Sequence, residues 1–280
     1  MTSSDAPSRL PPAHATRDYA FLAVALVPPT IAAVAHSGAR VLVTMVVALV
    51  CSAVVELAFA RVRRRAFSVG FGVVLTGVAF PLLMPAGAPL WMIGLAAAFG
   101  ALFAKEAFGG TGHQVFHPAM VAKCFLLISW PGTMGELIKG ADAVAVGEGS
   151  LIAIGVAAAI VIVSRRGALF PVIGGLSGAV ATAAIFATID AERFASPGEV
   201  LASGAFWFAL CVVSIDRASS PRHPAPAAAY GLVVGAVAVC IKYLSAYGSY
   251  TEAMIFAVLL GNLFAPALDS VGAMGEGAAA

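Results

Sequence analysis

Charge is scarce in this sequence. Asp, Glu, Lys and Arg make up only 11% of its 280 residues, whereas hydrophobic residues make up 61%. A soluble domain has about 25% charged and about 45–50% apolar residues. A water-soluble fold of this length could not bury so much apolar surface, so the composition excludes a soluble enzyme, a nucleic-acid-binding protein and a disordered chain. The formal net charge of +2 is also too small to favour a nucleic acid as partner.

Motifs for nucleotide, metal or disulfide chemistry are missing as well. The sequence has no phosphate-binding loop, nucleophile elbow or zinc-protease pattern. Its four cysteines lie in apolar runs, without the spacing of an iron–sulfur site or a disulfide framework. His113 and His117 are spaced like metal ligands on a helix, but Pro118 and the nearby glycines disfavour a helix there. No metal site is therefore predicted.

Long apolar runs are what the sequence has in abundance. They are continuous, whereas the strands of a membrane barrel alternate in polarity over about ten residues, so a polytopic all-α membrane protein is predicted. A span needs about 20 mostly apolar residues. Ten candidate spans lie at residues 19–36, 41–60, 67–84, 89–108, 118–130, 151–163, 169–189, 200–215, 227–243 and 253–268. They form one transmembrane domain, residues 19–269, between flexible tails at residues 1–18 and 270–280.

The distribution of Lys and Arg predicts the orientation. With the N-terminus in the cytoplasm, the inner regions hold eleven Lys and Arg residues and the outer regions four. Positive residues favour the cytoplasmic side, and the basic cluster of residues 61–65 contributes most to the difference. An even number of spans then places both termini in the cytoplasm. The predicted location is the inner (plasma) membrane of the cell.

Two stretches of the sequence resemble each other. Residues 99–110 and 236–249 are apolar runs that carry one lysine each, Lys105 and Lys242, before a glycine break. They suggest two repeats, at about residues 19–130 and 151–269. Because five spans separate the copies, the second repeat would have the opposite orientation in the membrane to the first. Inverted repeats place their site near the bilayer midplane at discontinuous helices. The span at 118–130, which covers only about 20 Å, is the best candidate for a broken helix, and the span at 253–268, with Gly261 and Pro266, is a second. A chance similarity of two apolar segments is the alternative.

Polar residues within or beside these apolar runs are the candidates for function. The loop before the fifth span could hold an anionic group or a flavin at a helix N-terminus; its candidates are Gly110, Gly112, His113, Gln114 and His117. Ionisable residues inside a membrane are expensive and often functional. The candidates for an ion pathway are Lys123, Asp216, Glu252, Asn262 and Asp269.

Each candidate has a structural alternative. The loop could simply cap a helix, Lys123 could extend from a short helix to the interface, and the acidic residues could be interfacial. For Glu56, a salt bridge to Arg63 or Arg64 is the favoured interpretation.

The segment Gly109–Pro131, GGTGHQVFHPAMVAKCFLLISWP, resembles the signature of a known family. It is similar to the membrane-embedded D subunit of Rnf complexes and to the B subunit of the sodium-pumping NADH:quinone reductase. The resemblance continues to Glu252–Asp269, EAMIFAVLLGNLFAPALD, which is similar to the last helix of the family. It implies ten helices in inverted repeats, a fold similar to urea transporters, and a component of a redox-driven Na⁺ or H⁺ pump.

The sequence departs from the family at three places. Members carry FMN on a threonine in a loop that corresponds to residues 132–150, but here Thr133 is the only threonine and lacks the flanking residues. A covalent FMN is therefore not expected, whereas the resemblance allows noncovalent FMN or riboflavin. His117 stands where the family usually has Asn, and Arg217 follows Asp216 where the family has Pro.

Three functions follow from these observations. The first is an integral membrane subunit of an Rnf/Nqr-like complex, which would need partner subunits because the chain has no nucleotide or iron–sulfur motif and would have no activity alone. The second is a stand-alone channel or small-solute transporter on the same fold. The third is a membrane anchor without a transport pathway.

Overall fold

The computed structural model describes residues 20–63, 71–110, 113–139, 144–190, 197–214, 216, 218–244 and 249–279. The regular secondary structure within these ranges is helical, apart from one isolated bridge between Pro85 and Ala145. This confirms the predicted all-α membrane class. The helices of the first half are α1 (Val27–Ser37), α2 (Arg40–Val62), α3 (Phe71–Leu82), α4 (Leu90–Gly100), α5 (Pro118–Ser129) and α6 (Pro131–Lys139). Those of the second half are α7 (Leu151–Ser164), α8 (Leu169–Ile189), α9 (Pro197–Ala202), α10 (Gly204–Phe208), α11 (Pro224–Leu244) and α12 (Tyr250–Ala279).

Six of the helical segments in the described ranges are long and apolar enough to cross a membrane. They are Ala20–Ser37, Arg40–Val62, Leu90–Phe108, Leu169–Ile189, Pro224–Leu244 and Tyr250–Gly272. Three shorter apolar helical segments, Pro118–Ser129, Leu151–Ser164 and Gly204–Val213, coincide with other predicted spans. A helix also lies in the remaining predicted span, at Phe71–Leu82.

Local sequence signals explain where the short helices begin. Pro118 and Pro131 stand at the first positions of α5 and α6, where a missing N–H costs nothing. Ser150 and Ser203 precede α7 and α10, and each side-chain oxygen accepts a hydrogen bond from the backbone N–H three residues later, at 3.3 Å.

The span at 253–268 is not broken, which corrects the sequence interpretation. Helix α12 runs from Tyr250 to Ala279 with Pro266 inside it, and thus continues through residues 270–279, for which the sequence predicts a flexible tail. Gly261 lies where a Cβ atom would collide with the side chains of Tyr230 and Val234. This glycine therefore permits close packing of α11 on α12 rather than interrupting the helix.

A stretch of non-helical backbone follows the short helix α3. There the N–H groups of Val146 and Gly147 donate to the carbonyls of Met84 and Leu82, at 3.1 and 2.9 Å. These hydrogen bonds satisfy backbone groups that no helix satisfies, which such a segment needs when it is enclosed by protein in a membrane.

Helices α8 and α11 pack closely through glycines on both partners. A Cβ atom at Gly235 would meet the backbone of Gly175 and Ala179. Small residues at such a contact let two backbones approach within a membrane.

We expect Gly235→Val to destabilise the protein, because backbone atoms cannot move aside for the added side chain; overpacking typically costs about 1–3 kcal/mol. Thermal unfolding in detergent measures the effect. Gly155→Val in α7 is the matched control, since a Cβ atom there meets nothing within 4 Å. Equal melting temperatures for the two variants would contradict this packing.

Candidate functional site

Lys123 and Glu252 form a buried ion pair between the two halves of the chain. Lys123 lies on α5 and Glu252 in the first turn of α12, and their side chains are 1% and 2% exposed. The Nζ atom of Lys123 is 3.4 Å from Oε1 of Glu252 and donates to the carbonyl oxygen of Leu83 at 2.6 Å. The N-terminal end of α12 favours a carboxylate at this position. The second oxygen of Glu252, Oε2, has no hydrogen-bond partner among the described residues.

A second buried contact joins the same two helices about three turns further along α12. The side-chain amide of Asn262 is oriented so that both its oxygen and its nitrogen have hydrogen-bond partners. The oxygen accepts from the backbone N–H of His117 at 3.2 Å, and the nitrogen donates to the carbonyl oxygen of Ser219 at 2.9 Å. Tyr230 on α11 lies within hydrogen-bond distance of the same amide. His117 is the residue that precedes α5, and its Nδ1 atom has no partner among the described residues.

The two contacts fix the relative direction of α5 and α12. Lys123, inside α5, meets the start of α12, whereas Asn262, inside α12, meets the start of α5. The helices are therefore antiparallel. Each of the two internal polar side chains also donates to a backbone carbonyl outside regular helix, Leu83 after α3 for Lys123 and Ser219 for Asn262.

Asp216 and Gln114 form a third buried contact. The Nε2 atom of Gln114 donates to Oδ2 of Asp216 at 2.5 Å, and the backbone N–H of Ala218 donates to Oδ1 at 3.2 Å. Both side chains are almost completely buried. The structure thus brings the loop before α5 against the segment after α10, which are far apart in sequence.

The candidates for flavin binding differ in exposure. Gly110 is buried and has a φ of 97°, which favours glycine, whereas His113 is exposed; Gly112 lies outside the described residues. Gln114 and His117 are enclosed by protein, so a flavin ring could contact them only if the surrounding chain moved. Thr133 is half-buried within α6.

Asp269 does not join the buried polar contacts. It lies about two thirds of the way along α12 and is half-exposed. Its Oδ1 atom accepts from the backbone N–H of Arg222 at 2.8 Å and of His223 at 3.5 Å. These N–H groups precede α11, so Asp269 satisfies the start of that helix.

The predicted salt bridge from Glu56 to Arg63 or Arg64 is wrong for Arg63, and Arg64 lies outside the described residues. Glu56 pairs instead with Lys105, which is fully buried in the π-helical segment Ala101–Lys105 that continues α4. Arg63 pairs with Glu106 at 3.3 Å. Helices α2 and α4 pack side by side. Both ion pairs therefore join the C-terminal part of α2 to the helical segment that follows α4.

Sequence reasoning missed two residues, Glu148 and Thr251. The Oγ1 atom of Thr251 donates to Oε2 of Glu148 at 2.6 Å, and Glu148 is buried. Both line a cavity of about 740 Å³ that Lys139, Lys242 and Tyr250 also line. The available signal was weak: Glu148 is an acid two residues before Ser150, the serine that precedes the sixth apolar run.

Known proteins are similar to this chain over most of its length. It is 29% identical to the B subunit of the Na⁺-translocating NADH-quinone reductase of Klebsiella pneumoniae, 27% to that of Azotobacter vinelandii and 28% to that of Pseudomonas aeruginosa. Each alignment covers 76% of this chain and 62% of the relative, so the chain spans about three fifths of the length of these proteins. A sequence model of one family matches at residues 13–146 and 135–274. The chain therefore belongs to the NQR2, RnfD, RnfE family.

Proposed function

We propose that this chain is an integral membrane subunit of an Rnf/Nqr-like complex, in which electron transfer drives Na⁺ or H⁺ across the membrane. The observation that carries the proposal is the buried pair Lys123–Glu252, which joins α5 to α12. Ionisable residues enclosed within a membrane protein typically mark an ion route. The names of the similar proteins, which are subunits of a Na⁺-translocating reductase, support the same class of function.

Within this function, the ion route passes between α5 and α12. Lys123, Glu252 and Asn262 contribute buried polar groups from these helices, and Asp216 contributes one from the segment after α10. Asp269, which satisfies the start of α11, lies at the end of the proposed route rather than on it.

Ten spans in two inverted repeats are part of the proposal. The antiparallel α5 and α12 support it, as does the equivalent packing of α4 on α5 and of α11 on α12. The paired contacts of Lys123 with Leu83 and of Asn262 with Ser219 also support two related halves.

The reaction itself needs other chains. The sequence has no nucleotide or iron–sulfur motif, so electron donors and acceptors bind to partner subunits. The chain carries no covalent FMN in this proposal, and a noncovalent flavin would contact the loop before α5, where the exposed His113 lies closest to solvent.

Purification of the tagged chain from native membranes tests the function. We expect mass spectrometry to identify co-purifying chains with nucleotide or iron–sulfur motifs, and the denatured chain to show no in-gel flavin fluorescence. A chain that purifies alone and moves a solute in vesicles would contradict the proposal and favour a stand-alone transporter. A fluorescent band that disappears in Thr133→Ala would contradict the expected absence of covalent FMN.

Cysteine labelling tests the orientation with both termini in the cytoplasm. In a variant without the four native cysteines, we expect Arg61→Cys to react only from the cytoplasmic side and Lys139→Cys only from the outer side. Both positions are exposed, so a membrane-impermeant maleimide can reach them. The cysteine-free parent measures background labelling. Labelling of both positions from one side would contradict the proposed topology.

A further inference from the structure

A buried carboxyl group lies beside the cavity between α6, α10, α11 and α12. The cavity has a volume of about 740 Å³, and its lining includes the polar groups of Glu148, Ser203, Ser249 and Thr251. Such a space is large enough for many water molecules. It therefore gives Glu148 contact with water, although the residue is only 7% exposed.

The backbone around Glu148 is held firmly. The preceding residues, Val146 and Gly147, are hydrogen-bonded to the segment after α3, and the backbone N–H of Glu148 donates to the carbonyl of Ala145 at 2.9 Å. Gly204 packs against the carbonyl of Glu148 so closely that a Cβ atom would collide with it. The side chain is thus kept at the edge of the cavity rather than free to reach bulk solvent.

The charges around Glu148 do not balance. The Nζ atom of Lys123 is already paired with Glu252, and Lys242 on the cavity wall is paired with Glu199 at 2.9 Å. The hydroxyl of Thr251 donates to one oxygen of Glu148 but carries no charge. The titratable and charged groups near the carboxyl are Lys123, Lys139, Glu252, Lys242 and Tyr250. Among the described residues no lysine or arginine lies within ion-pair distance of the Glu148 carboxyl, and this includes Lys139, which lines the same cavity. Burial removes part of the hydration of the carboxylate without placing a cation beside it, which favours the protonated form.

We propose that Glu148 is a proton-binding group of this chain, loaded from the cavity and positioned by Thr251. Its carboxylate takes up one proton from water in the cavity and becomes a neutral carboxylic acid. The group lies next to the Lys123–Glu252 pair through the adjacent residues Thr251 and Glu252, so a proton held there changes the charge beside the proposed ion route. The proton site itself does not depend on the proposed redox function, because protonation is measured directly.

Dicyclohexylcarbodiimide, which reacts with protonated carboxyl groups in apolar surroundings, tests the site. The full chain is labelled in membranes at pH values from about 6 to 9, and the modified peptides are quantified by mass spectrometry. We expect modification of Glu148 to fall about tenfold for each pH unit above its midpoint and to be unchanged when Na⁺ replaces choline. Glu199, which is exposed, and Glu252, which is paired with Lys123, are internal controls that should remain unmodified.

The variant Thr251→Val tests whether the hydroxyl of Thr251 positions the carboxylate of Glu148. Loss of the hydroxyl removes a hydrogen bond to the charged carboxylate, so the midpoint for Glu148 should shift to higher pH. Protection of Glu148 by Na⁺ would overturn the proposal in favour of a sodium site, and absence of modification at every pH would also overturn it. If redox subunits co-purify with the chain but Glu148 is not modified, the proton site is overturned and the proposed function is not.

Discussion

Lys123→Met is expected to destabilise the protein strongly. The variant leaves the Glu252 carboxylate buried without its cationic partner and removes the donor to the Leu83 carbonyl. Removal of one partner of a buried pair typically costs about 3–5 kcal/mol. The effect is measured as the fall in melting temperature of the detergent-purified chain and in the yield of monodisperse protein.

The double variant Lys123→Met/Glu252→Gln is the control for this prediction. It has no unpaired charge, so we expect it to recover most of the lost stability. A single variant as stable as the wild type would show that Glu252 is not enclosed with Lys123 in the way the structure describes. A double variant no more stable than the single one would show that the loss comes from packing of the lysine rather than from its charge.

The second large effect is expected for Lys105→Met. Lys105 is fully buried and pairs with Glu56 across the contact between α2 and the π-helical segment that continues α4. Its loss leaves Glu56 as an unpaired buried charge, again at a cost of about 3–5 kcal/mol. Thermal unfolding under the same detergent conditions provides the measurement, and Glu56→Gln in the same chain should restore stability.

Lys242→Met is the matched control for Lys105→Met. Lys242 also forms an ion pair, but its partner Glu199 is 54% exposed. Solvent around Glu199 screens this pair, so the pair is worth about 0–1 kcal/mol. The variant should therefore lose much less stability than Lys105→Met, even though Lys242 also contacts the rings of Tyr243 and Tyr250. Equal melting temperatures for Lys105→Met and Lys242→Met would show that burial does not determine how much each ion pair contributes to stability.

The sequence predicted the helical architecture because membrane helices need long apolar runs. The same reasoning singled out Lys123 and Glu252, since a charge within or directly beside an apolar run is conspicuous. The sequence could not state which residue each would meet, because the contact joins two helices that are distant in the chain. That information comes from tertiary packing.

Glu56, Gly261 and Glu148 show why local reasoning failed elsewhere. The sequence favours a partner for Glu56 in the nearby basic cluster, but the closely packed α4 supplies Lys105. Gly261 suggested a broken helix, because the sequence does not reveal that Tyr230 and Val234 occupy the space beside it. Glu148 lies in a loop whose sequence bears only on flavin attachment, and its burial depends on α10 and α12 folding against it.

Ion transport by the reconstituted complex tests most directly whether the contact between α5 and α12 lies on the ion route. The complex, purified from native membranes, is placed in vesicles, and uptake of Na⁺ and of H⁺ is measured together with the rate of electron transfer. The wild type is compared with Lys123→Met/Glu252→Gln, which retains no unpaired charge. We predict that the variant complex assembles but that its electron-driven ion uptake falls to background. Wild-type uptake by a fully assembled variant would contradict the proposed route and leave the pair with a structural role only.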